Sequence, residues 1–214
     1  IKAICTQHGI RIPGPNTMGA YNIKDKIALN FTPVSSSMWI PGNVALVSQS
    51  GATGGMILNK TEEEGIGFSY VYTTGNQIDL TTLDLAEAFL DSDDTHIIAS
   101  YIEGVTDGQK LKELGMKALH KHKPFIVYKS GRSEAGKKAA LSHTASLTGS
   151  NVAFDLVAKQ FGLTTVHDIE EVIDAVKVFN GFKRPKGNRV ATVVISGAIG
   201  IMVADKLRLE HNAS

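Results

Sequence analysis

The chain of 214 residues has a single cysteine, Cys5, only six prolines, and no excess of either charge, with Lys+Arg 22 against Asp+Glu 21. One thiol cannot close a disulfide within the chain, which excludes a disulfide-stapled scaffold and makes a reducing, cytoplasmic compartment the expectation. Within ICTQHG, Cys5 reads as a small apolar residue at the end of a helix. No apolar run approaches the roughly 20 residues needed to cross a bilayer, so no membrane partner is expected. The basic residues are dispersed along the chain, which argues against nucleic acid as a partner. Metal-site spacing is lacking too. His120 and His122 sit among lysines at a helix end, and His8, His96, His167 and His211 have no paired ligands, so no metal site is assigned.

Hydrophobic residues make up 43% of the chain, enough for one large or two small cores. Short runs rich in Val, Ile and aromatics alternate with longer segments of helical period, the pattern of a parallel α/β sheet. The runs NVALVSQ, FSYVYTT, HIIASYIE, PFIVYKS and LTTVH read as strands. Helices are expected over ATGGMILNKTEEEG, TTLDLAEAFLDSD, GQKLKELGMKALHKH, NVAFDLVAKQFG and DIEEVIDAVKVFN. Five strands with intervening helices predict an α/β, flavodoxin-like, doubly wound parallel sheet over 43–167.

Upstream, IKAICTQHG and IRIPGPNTMG read as the last helix and strand of a preceding α/β unit, and the Pro, Ser and Gly residues of 32–42 as a linker. Residues 1–42 thus form a remnant plus linker, 168–187 a helix and linker, and 188–214 a strand and helix opening a further flavodoxin-like domain. VALVSQSGA and TVVISGA form a weak internal repeat. Ile1 and Ser214 predict a chain cut from a longer polypeptide or assembly.

Four constellations could carry chemistry. Ser50, Gly51 and Ala52 follow a buried strand and open a helix. Their amides can bind a phosphate, or Ser50 can serve as a plain N-cap. A hydrolase nucleophile elbow needs glycine two residues either side of the serine, where this chain has Ser48 and Ala52. GRSEAGKK at 131–138 approaches a phosphate-binding P-loop, but Lys138 stands where magnesium ligation needs Ser or Thr. Glu103 ends the strand HIIASYIE, where its carboxylate is either an exposed solubilising group or a group that orients a histidine and stabilises its cation. The stretch GRSEAGKKAALSHTASLTG places His143 among small and hydroxyl residues in a long glycine-flanked loop, where imidazole chemistry of the covalent kind is the expectation.

Taken together, GPNTMG at 14–19, VSQSGATGG at 47–55, YIEG at 101–104 and LSHTASLTGS at 141–150 resemble the NDP-forming acyl-CoA synthetases, which include the succinyl-CoA synthetase alpha subunit and the ADP-forming acetyl-CoA synthetases. The resemblance covers nearly the whole chain. It implies a CoA-binding Rossmann domain, two flavodoxin-like domains, and an ATP-grasp module on the same or another chain. It further implies His143 as the phosphorylated residue, Glu103 as the carboxylate that holds it, Ser50, Gly51 and Ala52 as phosphate-binding, and Asn16 and Thr17 near the acyl and phosphate end of the pocket.

CoA and ATP/ADP with Mg are the implied cofactors, the nucleotide and metal being bound mainly on modules outside this chain. The partners are a small carboxylic acid, CoA and the ATP-grasp part, in an oligomer. Ala145 stands where the family more often has glycine, and SGAIG at 196–200 is less glycine-rich than the usual third-domain turn. Two other classes of function are open. One is a non-catalytic acyl-CoA or acyl-phosphate binding module of an acyltransferase-type fusion, against which His143 argues. The other is an FMN or signalling module, for which the chain lacks an evident phosphate loop and a flavin-flanking aromatic pair.

Overall fold

The structure is a computed structural model that describes residues 1–30, 40–136, 138, 150–181, 187 and 189–212, with side chains to 207. Two compact units are present, Ile1–Phe182 and Lys183–Ser214.

The first unit is built on seven strands: β1 (Gly19–Asn22), β2 (Ile27–Asn30), β3 (Pro41–Ser48), β4 (Phe68–Thr73), β5 (Ile97–Ile102), β6 (Phe125–Lys129) and β7 (Thr164–Val166). Their order in the sheet is β2-β1-β4-β3-β5-β6-β7. The five strands from β4 to β7 are mutually parallel. Counted among themselves they run second, first, third, fourth, fifth, the doubly wound order of flavodoxin-like sheets. The strand order reverses at β3, flanked by β4 and β5. Ligands bind at such a switch point.

The helices that cover the sheet are α2 (Gly51–Glu63), α3 (Thr82–Asp91), α4 (Gly108–His120), α5 (Asn151–Gln160) and α6 (Ile169–Gly181), preceded by a short α1 (Lys2–Gln7). One face packs Val44, Leu46 and Ala99 against Ile57 and Leu58 of α2 and Val172 and Val176 of α6. The opposite face packs Ala45, Val47 and Ile98 against Ala86, Leu111, Leu114, Phe154 and Ala158 of α3, α4 and α5. Neighbouring residues of β3 are therefore buried on opposite faces, which is why this strand reads as an unbroken apolar run. Each fully buried Leu or Ile of these cores contributes about 1.5–3 kcal/mol. Helix starts are capped by side chains: Ser50 on α2, Thr81 with Asp84 as a capping box on α3, Asp107 on α4 and Ser150 on α5.

Three features of this unit differ from the sequence expectations. Of the segment 10–19, read as a strand, residues 10–18 make one bridge, Pro13 with Leu80, and otherwise lie along the loop after β4, while Gly19 opens β1. The hairpin β1–β2 extends the sheet antiparallel to β4, with Tyr21 completely buried and Ile27 and Leu29 exposed. The boundaries expected at 42/43 and 167/168 consequently do not divide the compact unit, because β1 and β2 share its sheet and α6 buries Val172, Ile173 and Val176 in its core.

In the second unit, residues 189–196 form no strand, and α7 (Gly197–Asn212) follows them. Strand backbone needs a neighbour to pair with, and none lies beside this run among the described residues. Val193 and Ile195 are exposed there. Of the strand and helix expected over 188–214, the helix is formed and the strand is not.

Candidate active site

Thr17, Ser50, Gly51 and Glu103, far apart in the chain, all lie at the carboxyl ends of β4, β3 and β5: Thr17 bonds to Thr73 at the end of β4, Gly51 meets Met18 just past β3, and Glu103 follows β5 and bonds to Gln49. The segment 12–18 is laid across the end of β4 by its backbone. Asn76 N donates to Pro15 O at 2.9 Å, Ile78 N to Gly14 O at 3.0 Å, and Leu80 N to Ile12 O at 3.1 Å. Asn16 has a φ of 55°, and its side-chain amide donates to Asn76 Oδ1 at 3.2 Å. Gly75 has a φ of +50°, and a Cβ added to it would lie 2.1 Å from Asn16 O. Only glycine permits this approach.

Thr17 is anchored more deeply. Its hydroxyl bonds to the carbonyl and hydroxyl of Thr73 at the end of β4, and Thr73 Oγ1 accepts from Met18 N at 2.8 Å and Gly19 N at 3.1 Å. The Thr17 hydroxyl is thus engaged in holding the loop to the sheet, while Asn16 is exposed at its tip. The loop in turn touches α2: a Cβ on Gly51 would lie 3.1 Å from Met18 Cβ and 3.2 Å from Met18 N.

At the start of α2, Ser50 Oγ accepts from Thr53 N at 3.2 Å and from Thr53 Oγ1 at 3.1 Å. Ser50 is therefore an N-cap, as one of its two sequence readings requires. Its own carbonyl accepts from Gly54 N at 3.0 Å and from Ser48 Oγ at 2.6 Å. The amides of Gly51 and Ala52 precede the first intrahelical bond and have no carbonyl one turn back to donate to. They form the positive end of the helix dipole at the carboxyl edge of the sheet.

Glu103, one residue beyond β5, is 6% exposed, and its Oε2 is buried with no hydrogen-bond partner among the described residues. Burial removes the reading of Glu103 as an exposed solubilising residue. Leaving a buried carboxylate oxygen unsatisfied costs free energy, so its persistence points to a partner that arrives from outside the described groups. Burial pushes the phenol of Tyr101, two residues earlier, up from its ordinary value, and the Glu103 carboxylate nearby adds to the rise, opposed by the neighbouring Ser130 and Thr53 side chains.

Gln49, Thr73 and Gly75 were not among the residues singled out from sequence, although they hold these segments together. Their roles follow from pairings across 50 or more residues that no local pattern records. His143, like most of its loop, lies outside the described residues. The two edges of that loop are joined, because Asn151 Nδ2 donates to Arg132 O at 2.8 Å and Arg132 Nη2 pairs with Asp155 Oδ2 at 2.5 Å. Among the described residues no group of three or more His, Cys, Asp or Glu forms a metal site, and no helix is long and apolar enough to cross a membrane.

Residues 41–179 match the family model described as the succinyl-CoA ligase like flavodoxin domain. The chain is 40% identical over 204 residues to the alpha subunit of an ADP-forming acetate–CoA ligase II of Pyrococcus furiosus, covering 95% of this chain and 43% of that protein. It is 39% identical over 205 residues to an ADP-forming acetate–CoA ligase of Methanocaldococcus jannaschii, covering 96% of this chain and 28% of that one. Among solved structures, acetyl-coenzyme A synthetase 1 of Ca. Korarchaeum cryptofilum, in complex with phosphate and ADP, superposes with a TM-score of 0.85 at 32% identity over 94% of this chain and 43% of its own. The chain spans less than half the length of these relatives. By its domain match, its fold and the motifs at the switch point, the chain belongs to the succinyl-CoA ligase-like flavodoxin domain family, among the NDP-forming acyl-CoA synthetases.

Proposed function

We propose that this chain is the phosphoryl-transfer part of an NDP-forming acid–CoA ligase acting in the cytoplasm. The enzyme interconverts acyl-CoA, phosphate and NDP with a small carboxylic acid, CoA and NTP. The observation that supports this reading is the buried carboxylate of Glu103, whose Oε2 has no hydrogen-bond partner among the described residues, on a turn held through Glu103 N by Gln49, the residue before the N-cap of α2. An imidazole seated between this carboxylate and the first-turn amides of α2 would have an acceptor for one ring N–H, and a phosphoryl group on the other nitrogen would meet N–H donors.

In the direction of nucleotide synthesis, phosphate oxygen attacks the thioester carbonyl, the C–S bond breaks, and CoA leaves as the thiol. A ring nitrogen of His143 then attacks phosphorus of the acyl phosphate, the P–O bond to the acyl oxygen breaks, and the carboxylate is released. A terminal oxygen of NDP next attacks phosphorus, the P–N bond breaks, and neutral imidazole returns. Glu103 accepts the remaining ring N–H and stabilises the cationic phosphohistidine, as a carboxylate does for an imidazolium in a catalytic triad. The amides of Gly51 and Ala52, with Ser50 fixing their turn, face the phosphoryl oxygens. Asn16 borders the acyl and phosphate end of the pocket, with Thr17 fixing its loop. Mg and nucleotide are assigned to an ATP-grasp partner, fused or separate, in an oligomeric assembly.

The test uses the full-length protein with its ATP-grasp part, ATP labelled on the γ-phosphate, and magnesium. A label that is stable to base and labile to acid is expected on wild type and absent from His143→Ala. An unchanged label in that variant overturns the assignment.

A further inference from the structure

The phosphohistidine reading gives no role to Gln49, yet this residue makes the only described hydrogen bonds that cross from the end of β3 to the turn carrying Glu103. The β3–β5 ladder pairs Ser48 with Tyr101, and the backbone amide of Gln49 continues it by donating to Tyr101 O at 2.9 Å. There β3 ends, because the chain turns into α2 at Ser50. The next amides of β5's extension, Glu103 N and Gly104 N, have no strand residue opposite them. The Gln49 side chain takes that place: its Oε1 accepts from Glu103 N at 2.9 Å and from Gly104 N at 3.4 Å. On the other side of the turn, Ser130 N donates to Ile102 O at 3.0 Å.

Gln49 and Glu103 are both more than nine-tenths buried. Gln49 is also the residue before the N-cap of α2, so its backbone is fixed to the helix start while its side chain is fixed to the backbone of Glu103. Few torsions separate the first-turn amides from the carboxylate along this route.

We propose that Gln49 is a positioning residue that sets the separation and orientation of the Glu103 carboxylate relative to the first-turn amides of α2. This inference rests on the phosphohistidine reading and assigns its geometry to a residue outside the groups that touch the phosphoryl donor or acceptor. Acting through Glu103, Gln49 leaves the number of phosphorylatable sites unchanged and alters how fast they are filled, because a displacement of about 1 Å at a reacting centre costs roughly 10²-fold in rate.

The experiment is single-turnover phosphorylation of the full-length protein with its ATP-grasp part by labelled Mg-ATP. Both the rate constant and the final stoichiometry of the acid-labile label are followed. Gln49→Asn keeps the amide but is one methylene too short to reach Glu103 N; Gln49→Met keeps the length and loses the acceptor. Each is expected to lower the rate constant about tenfold to a hundredfold with the stoichiometry unchanged. In the Glu103→Gln background, Gln49→Asn is expected to lower the rate less than threefold further, while the two substitutions lower the melting temperature additively.

A rate for Gln49→Asn within twofold of wild type overturns the inference. So does a full further loss in the Glu103→Gln background, or a fall confined to stoichiometry, which is the signature of a damaged fraction. Absence of the label from wild type defeats the phosphohistidine reading and this inference with it, whereas a labelled wild type and a slow Glu103→Gln beside an unaffected Gln49→Asn defeat this inference alone.

Discussion

The molecule handles charge in opposite ways on the outer face of α3 and α4 and at the carboxyl edge of β3 and β5. On the outer face, Lys110 pairs with Asp84 and Glu87, Lys117 with Glu87 and Asp91, and Lys121 with Asp91. Every member of this ladder is partly open to water and has its counter-charge. At the carboxyl edge, Glu103 is buried without a side-chain counter-charge given to its Oε2, and Gln49 holds the backbone amides around it. Exposed ion pairs are screened and contribute little each. A buried open acceptor costs stability and is kept where a ligand completes it. On the function proposed above, the paired face serves the fold and the unpaired edge serves chemistry.

Four perturbations break or sharpen this contrast. The largest effect is expected from Glu103→Gln, which removes the negative charge and keeps the volume. Phosphorylation by Mg-ATP should slow about 10²–10³-fold, measured by rapid quench, with a smaller proportional loss of stability. Equal losses in both would make Glu103 structural. Next is Gly75→Ala, which sets a methyl group against Asn16 O at a positive φ. A loss of about 1–3 kcal/mol is expected from urea unfolding, together with weakened activity as the Asn16 loop is displaced.

Thr81→Ala, which removes the capping box of α3, should cost about 1 kcal/mol in the same measurement and leave phosphorylation unchanged. The smallest effect belongs to Lys117→Met on the outer face. The expected loss is about 0.2–1 kcal/mol at low salt, shrinking as salt is raised.

The same ladder predicts a pH dependence. Burial pushes the Asp84 carboxyl up, but hydrogen bonds from Lys110 and Thr81 outweigh it and hold the group below its ordinary value; Lys117 and Lys121 hold Asp91 below its own. The unfolded chain therefore takes up these protons first as pH falls. The stabilisation is present above about pH 4 and is lost as pH drops through the lower folded values. Urea midpoints should fall more steeply below pH 4 in wild type than in Asp91→Asn.

Much of this organisation was legible in the sequence. The parallel strands are legible within a residue or two because β3 to β6 lie inside the sheet and leave dense apolar runs, while the short edge strand β7, TTV with two half-buried threonines, is marked by its flanking Leu163 and its β-branched residues; the helices between them carry one covered stripe. The hairpin at 19–30 was not read, since Ile27 and Leu29 face outward and only Tyr21 and Ile23 are buried, leaving too weak an alternation. The run at 189–196 has strand composition, but composition does not supply a neighbouring strand. At the site, Ser50 and Glu103 stood out because strand ends in such a sheet meet the ligand edge. Gln49 did not, because its role depends on β3 turning away one residue before β5 does, a relation of register that appears only once the strands are paired.

The measurement that bears most directly on the contrast is the rate at which Mg-ATP forms the acid-labile label in Glu103→Gln beside Lys117→Met, in the full-length protein with its ATP-grasp part. A fall of two orders of magnitude or more in the first and none in the second is the predicted result. A Glu103→Gln protein that is labelled as fast as wild type would contradict the account.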